Sequence, residues 1–244
     1  MNDIDKHPAD RVASVREYYL QRKMREVAQL NAAGADIISL GIGGPDMPPP
    51  QAAIDTLCSQ ARRPDTHGYQ LASGLPEMRR AFARWYGERF GVTLDADSEI
   101  MPLIGSKEGI MHISLTFLNP GDGVLLPNPG YPTYTSVSRL VGADIRYYGL
   151  LEDRGWTPDF DALEHADLSG VKIMWTNYPN MPTGAPASRE LFERLVDFGR
   201  RHNILIINDN PYSFILNDNP LSILSVPDAN DIAIEMNSLS KSHN

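Results

Sequence analysis

From residue 99 onward the chain alternates short apolar segments with amphipathic ones, and this alternation limits the fold more than any other feature. EIMPLIGS (99–106) has the length and composition of a strand, and KEGIMHISLTFL (107–118) has helical spacing that closes at Asn119-Pro120-Gly121. GVLLPNPGYP runs a strand into a turn, and TYTSVSRLVG reads as a helix. ADIRYYGL, VKIMWTNYP, NILIINDNPY and DIAIEMNS are further apolar segments of strand length, with the helix SRELFERLVDFGRRH between the second and third. Apolar strands joined through amphipathic helices predict an α/β fold, a mostly parallel central sheet with helices on both faces. Ligands of such sheets gather at the carboxyl ends of the strands.

The first third is less regular. A helix is expected over 12–30, with Tyr19, Met24, Val27 and Leu30 on one face and Gly34 as its stop. DIISLGIGGPDMPPP reads as a short strand followed by a Gly/Pro loop, and AAIDTLCSQA as a helix. PEMRRAFARWYGERF is a helix with Pro76 at its start and Gly91 past its end.

Charge and composition exclude several classes of partner. A net charge of −9 over 244 residues argues against nucleic acid, which is bound through clustered Lys and Arg. No apolar run approaches the ~18 residues of a membrane span. The N-terminal MNDIDKHPAD is polar and lacks the apolar core of a signal peptide. The single cysteine, Cys58, cannot form an intrachain disulfide, which points to a reducing, cytoplasmic compartment; in its helical setting it is expected to be a packed, inert thiol. The histidines show no metal-ligand spacing, so no metal site is expected, and His243 reads as structural.

Three constellations carry chemistry. GSKEG (105–109) sets small residues at a helix N-terminus, where free N–H groups and the helix dipole favour a phosphate; many strand–helix turns share that form. Asp209 in NDNPY directly follows the apolar ILII, where a carboxylate can meet a cation, cap a helix or face solvent, and Tyr212 stands three residues on. SLSK (238–241) follows another strand. A lysine there is either a solvated charge or, if kept neutral, an amine able to form a Schiff base.

Taken together and in order, SLSK, NDNPY, YPNMPTG, GSKEG, PNPGYPTY and HGYQLASGLPEMRRAF resemble the class I/II, fold-type-I aminotransferases dependent on pyridoxal phosphate, from about residue 38 to 244. The resemblance implies a large cofactor-binding domain over 46–244 and an N-terminal arm with part of a small domain over 1–45. It implies that Lys241 holds pyridoxal 5′-phosphate as a Schiff base, that Asp209 pairs with the ring nitrogen, and that Tyr212 bonds the ring oxygen. Ser106, the backbone N–H of Lys107, and Ser238 would hold the phosphate, and Tyr131 would stack on the ring. Tyr69 would reach the phosphate of a neighbouring subunit, which implies a homodimer, and Gly43 in GIGGPD would lie near the substrate carboxylate.

The chain departs from the family pattern twice. Where the family reads P-N-N-P-T-G, Met181 replaces the second asparagine, and a thioether is a poor amide substitute, so Asn180 or Tyr212 must serve the ring oxygen. The sequence also ends three residues after Lys241, where family members continue to an arginine for the phosphate and a small domain for the substrate carboxylate, so the resemblance implies a C-terminally truncated member. The expected activity is transamination between an L-amino acid and a 2-oxo acid. The alternatives are β-elimination on the same scaffold and a non-catalytic cofactor-binding fragment. GIGGPDMPPP and HGYQLASG are most similar to the aspartate, alanine or diaminopimelate-type enzymes.

Overall fold

Strand segments satisfy their backbone N–H and C=O groups by pairing edge to edge, and the central ones, buried on both faces, then need helices on both sides. A computed structural model describes residues 7–41 and 43–243; residues 1–6 of the polar N-terminus, Ile42 of the GIGGPD loop and Asn244 lie outside the described residues. The strands are β1 (Gly123–Asn128), β2 (Asp144–Gly149), β3 (Val171–Thr176), β4 (Leu205–Asn210) and β5 (Ala233–Asn237). They form one sheet in the order β2-β1-β3-β4-β5, and every pairing is parallel.

The helices are α1 (Tyr19–Ala32), α2 (Gln51–Ala61), α3 (Pro76–Phe90), α4 (Ser106–Phe117), α5 (Pro132–Leu140), α6 (Phe160–Glu164) and α7 (Arg189–His202). Successive strand residues point to opposite faces, so each strand feeds two cores. Met174 and Ile206 join Phe160, Leu195 and Phe198 of α6 and α7 on one face. Ile173, Trp175 and Ile207 join Ile110 of α4 and Tyr134 and Val137 of α5 on the other. The expected α/β sheet with helices on both faces is present.

Helix α7 illustrates how the sequence sets its own limits. The Ser188 hydroxyl accepts from the Leu191 N–H at 3.0 Å, and Asn203 ends the helix in the left-handed region at φ 53°. Its buried stripe is Leu191, Phe192, Leu195, Val196, Phe198 and Gly199. A methyl group on Gly199 would lie 2.8 Å from the Ile204 carbonyl oxygen and 2.8 Å from Ile206 Cγ1, so helix and strand are in backbone contact here.

Two expected strands do not form. Residues 36–40 and 99–105 are irregular among the described residues, and Ile38 and Ile104 are 85% and 93% exposed. A strand needs a partner for its N–H and C=O groups, and none of the described strands lies beside either segment. Residues of 99–105 instead line one wall of a cavity of about 540 Å³ whose other wall includes Ile234, Met236 and Asn237 of β5. Among the described residues, no strand pairs with that outer edge of β5. The 12–30 helix starts later, at Tyr19, after a short 3-10 turn over Asp10–Ser14. Cys58, expected to be packed, is exposed because α2 has no buried residue.

The Gly199 contact makes a sharp test. On an open helix face Gly→Ala stabilises by up to about 1 kcal/mol, whereas Gly199→Ala is expected to destabilise by about 1–3 kcal/mol through overpacking. Urea denaturation of the two proteins measures the sign.

Candidate functional site

Because all five strands run the same way, their carboxyl ends share one edge of the sheet, and Asp209 of the NDNPY motif lies at that edge. Asp209, next to last in β4, is only 3% exposed. Its Oδ2 accepts a hydrogen bond from the Tyr134 hydroxyl at 2.8 Å. Its Oδ1 is sealed from solvent and has no partner among the described residues. Burial pushes the Asp209 carboxyl up to about 6, with the Tyr134 hydrogen bond pulling the other way.

The backbone around Asp209 is held by two asparagines. Asn177, just past β3, donates from Nδ2 to the Asp209 carbonyl at 2.6 Å and accepts from the Met181 N–H at 2.8 Å. Asn208 accepts at Oδ1 from the Tyr178 N–H at 3.1 Å and from the Thr176 hydroxyl at 3.2 Å. These bonds extend the β3–β4 ladder beyond its last main-chain pair, Thr176 beside Asn208.

Tyr131 precedes α5, and its ring meets Tyr134 edge-on at 5.6 Å. Tyr212 is half-buried in the turn after β4; burial raises its hydroxyl above the ordinary range, and the nearby Asp209, Tyr131 and Tyr18 raise it further. Asp209, Tyr131 and Tyr212 are thus brought together.

The GSKEG turn starts α4: Gly105 takes φ 90°, Ser106 is the first helical residue, and no side chain caps the first-turn N–H groups. Ser106 and Ser238 line the same cavity, and the Ser238 hydroxyl accepts from the Ser240 N–H at 3.2 Å. The Lys107 ammonium extends outward, 5.7 Å above the Tyr18 ring. Lys241 donates from Nζ to the Gly43 carbonyl at 2.8 Å, joining two candidate residues almost two hundred positions apart.

Among the described residues no hydrogen bond joins Lys241, Gly43, Ser106 or Ser238 to Asp209, Tyr131 or Tyr212, and Asn180 and Tyr69 also stand apart. The amide of Asn180 is engaged in its own turn, donating to the Asn177 carbonyl at 3.1 Å and accepting from the Thr183 hydroxyl at 2.7 Å. Tyr69 is fully exposed. Sequence reasoning missed Tyr134, Asn177 and Asn208. Tyr134 lies within PNPGYPTY, three residues after Tyr131, and that spacing across the start of α5 is the signal that could have brought the two rings together. The two asparagines carried no signal, because they flank residues that already read as strand and turn.

Comparison with known proteins agrees with this geometry. The family described as aminotransferase class I and II matches residues 35–244. The LL-diaminopimelate aminotransferase of Dehalococcoides mccartyi (strain ATCC BAA-2266 / KCTC 15142 / 195) is 43% identical over 236 residues, 96% of this chain and 61% of that protein. That of Nitratidesulfovibrio vulgaris is 44% identical over 239 residues, 97% of this chain and 61% of that protein. Among solved structures, apo-BacF from Bacillus subtilis superposes with a TM-score of 0.92 at 34% identity, covering 99% of this chain and 62% of that one. A probable N-succinyldiaminopimelate aminotransferase from Thermus thermophilus gives 0.82 at 35% identity, covering 92% of this chain and 60% of that one. The chain therefore spans about three fifths of the length of the relatives it matches.

The buried carboxylate has a measurable consequence. Asp209 has an ordinary value of 3.8 and titrates at about 6 when folded, so it favours folding fully below about 4 and loses that contribution as pH rises through 6. Asp209→Asn is therefore expected to stabilise the cofactor-free chain by up to about 3 kcal/mol at pH 7 to 8, with the gain vanishing near pH 4. Denaturant midpoints across that pH range test it, and a gain independent of pH would rule the account out.

Proposed function

Because this chain belongs to the class I and II aminotransferases, we propose that it holds pyridoxal 5′-phosphate at the carboxyl ends of its strands and moves an amino group from an L-amino acid to a 2-oxo acid. The observation that carries this reading is Asp209 Oδ1, a buried carboxylate oxygen with no partner among the described residues. A protonated ring nitrogen is a donor of the matching charge, so the residues present fit the group.

In this reading Asp209 takes the ring nitrogen and Tyr131 lies on the ring face. Tyr212 donates to the ring oxygen; the Asn180 amide is already engaged and Met181 offers no N–H side chain, which leaves the tyrosine that role. Ser106, the Lys107 N–H and Ser238 hold the phosphate, and Lys241 supplies the amine that carries the cofactor. Residues 46–244 form the cofactor-binding domain, and 1–45 belong to an arm and part of a small domain.

When bound, pyridoxal phosphate supplies a charged conjugated ring that accepts the electrons of the bond broken at the substrate α-carbon. The chain must keep that charge in place and move the proton. Asp209, ionised above about 6, balances the charge from inside the sheet edge. Lys241 Nζ, once the amino acid has taken its place, removes the α-proton. Gly43 already touches Lys241 Nζ through its carbonyl, which supports a substrate carboxylate close to that segment.

Tyr69 stands free of its own chain's site, with Leu71 exposed nearby, and this supports its use against the phosphate of a second copy in a homodimer. The relatives named LL-diaminopimelate aminotransferase, at 43% and 44% identity, favour LL-diaminopimelate as the amino donor.

Adding pyridoxal phosphate to the purified chain is expected to give a visible absorption band, and borohydride followed by peptide mapping should place the label on Lys241. Lys241→Ala should lose both. Label scattered over surface lysines would sink the reading. With LL-diaminopimelate, amino transfer should require a 2-oxo acid; ammonia release without one would instead assign an elimination.

A further inference from the structure

The Asp209 carboxylate has two chemically equivalent oxygens, yet the fold treats them differently. Oδ2 is held by the Tyr134 hydroxyl at 2.8 Å, and Oδ1 is left without a partner among the described residues. We propose that Tyr134 is a positioning residue: its hydroxyl fixes the plane of the Asp209 carboxylate so that Oδ1 alone is presented to the charged N–H of a bound heteroaromatic ring. The ring in question is the cofactor of the reading above, on which this inference rests.

The terminal torsion of an aspartate is broad, so a buried carboxylate with neither oxygen engaged turns freely through a wide range. One strong bond to one oxygen removes that freedom and aims the lone pairs of the other. The donor must itself be immobile, and Tyr134 is. Its ring is 1% exposed and stacks on Trp175 of β3 at 5.0 Å and 15°. Tyr131 closes its edge at 5.6 Å and 83°. Trp175 is fully buried and belongs to the sheet, so the phenol is referenced to the same strands that carry Asp209.

The donor must also be neutral. An arginine or protonated histidine in this place would balance the carboxylate and weaken its hold on a ring nitrogen. A phenol stabilises the charge without cancelling it. Burial first, and the Asp209 charge second, raise the Tyr134 hydroxyl well above its ordinary range, so it remains a donor at every working pH. The other titratable groups acting in this neighbourhood are Tyr212, from the turn after β4, Tyr131, ahead of α5, Tyr148 of β2 and Tyr18, ahead of α1. All four are also phenols.

The same helix turn thus does two jobs at a spacing of three. Tyr131 is available for the ring face, and Tyr134 sets the carboxylate that meets the ring edge.

The test compares the full chain carrying Tyr134→Phe or Tyr134→His with the unsubstituted protein. Two readouts are needed: the ¹³C titration of the Asp209 carboxyl without cofactor, assigned by Asp209→Asn, and the affinity for pyridoxal phosphate. Tyr134→Phe is expected to move the Asp209 midpoint upward and to weaken pyridoxal phosphate about tenfold, the size of one hydrogen bond to a charged group. Tyr134→His, which restores a donor but one able to carry charge, should bring the Asp209 midpoint back down while leaving the affinity for pyridoxal phosphate below that of the unsubstituted protein. Replacing Tyr134 by 3,5-difluorotyrosine keeps the fold and sharpens the donor, and should lower the Asp209 midpoint. A Tyr134→Phe protein whose melting temperature falls while the Asp209 midpoint and cofactor affinity stay fixed would reduce Tyr134 to packing and overturn the proposal. An unsubstituted chain that ignores pyridoxal phosphate, with Asp209 still responding to Tyr134→Phe, would overturn the cofactor reading alone and leave the control of the carboxylate standing.

Discussion

The pairing of β3 with β4 is the interaction on which the site depends. Main-chain bonds between the two strands end near Thr176 and Asn208, just before the residues that matter. Side-chain amides then continue the ladder. Asn177 bonds the Asp209 carbonyl and Asn208 bonds the Tyr178 N–H, so each strand holds the other's outgoing turn. Without those bonds, the Asn177 amide N–H and the Tyr178 N–H would lose their partners in a buried setting, each at a cost of about 1–3 kcal/mol. With them, the Asp209 backbone is tied to the β3 side through Asn177 and to β5 through its pairing with Met236. The bracing continues into β5 and α3, because Glu235 accepts from Asn208 at 3.3 Å and from the Tyr86 hydroxyl at 2.9 Å.

That rigidity lets the molecule hold a group it would otherwise reject. A carboxylate this deep prefers to be neutral, and a single phenol hydrogen bond only partly opposes the preference. The two apolar cores flanking the sheet supply the stability that this one residue withdraws. Asp209 sits where a purely stable protein would place an amide. In the proposed reading, its free oxygen is what receives the ring nitrogen.

Most of the sheet was legible because its central strands are short, largely apolar and buried on both faces, and they alternate with amphipathic helices, a combination that points to a doubly covered parallel sheet. Helix α7 was legible from Ser188 to Asn203, since cap, stripe and stop all agree. The segments 36–40 and 99–105 misled because apolar composition does not by itself provide a neighbour, and pairing is a property of the fold. Asp209, Tyr131, Tyr212, Ser106 and Ser238 were readable as motif positions, yet the division of labour between the two Asp209 oxygens was not. That division arises from a contact between residues 134 and 209, seventy-five positions apart, and no local pattern encodes it. The engagement of the Asn180 amide was hidden for a similar reason: its turn consumes both ends of the group, and turn-internal bonding is invisible in the string P-N-M-P-T-G.

The outer edge of β5 has a consequence for how these residues behave in bulk. An unpaired edge presents N–H and C=O groups at the spacing of a strand, and here it adjoins a trough walled by Ile100, Met101, Leu103, Ile234 and Met236. Among the described residues both β2 and β5 end the sheet, so a second chain meeting either margin at high concentration would find strand-spaced donors and acceptors that the acidic surface, whose charge acts at longer range, does not itself block.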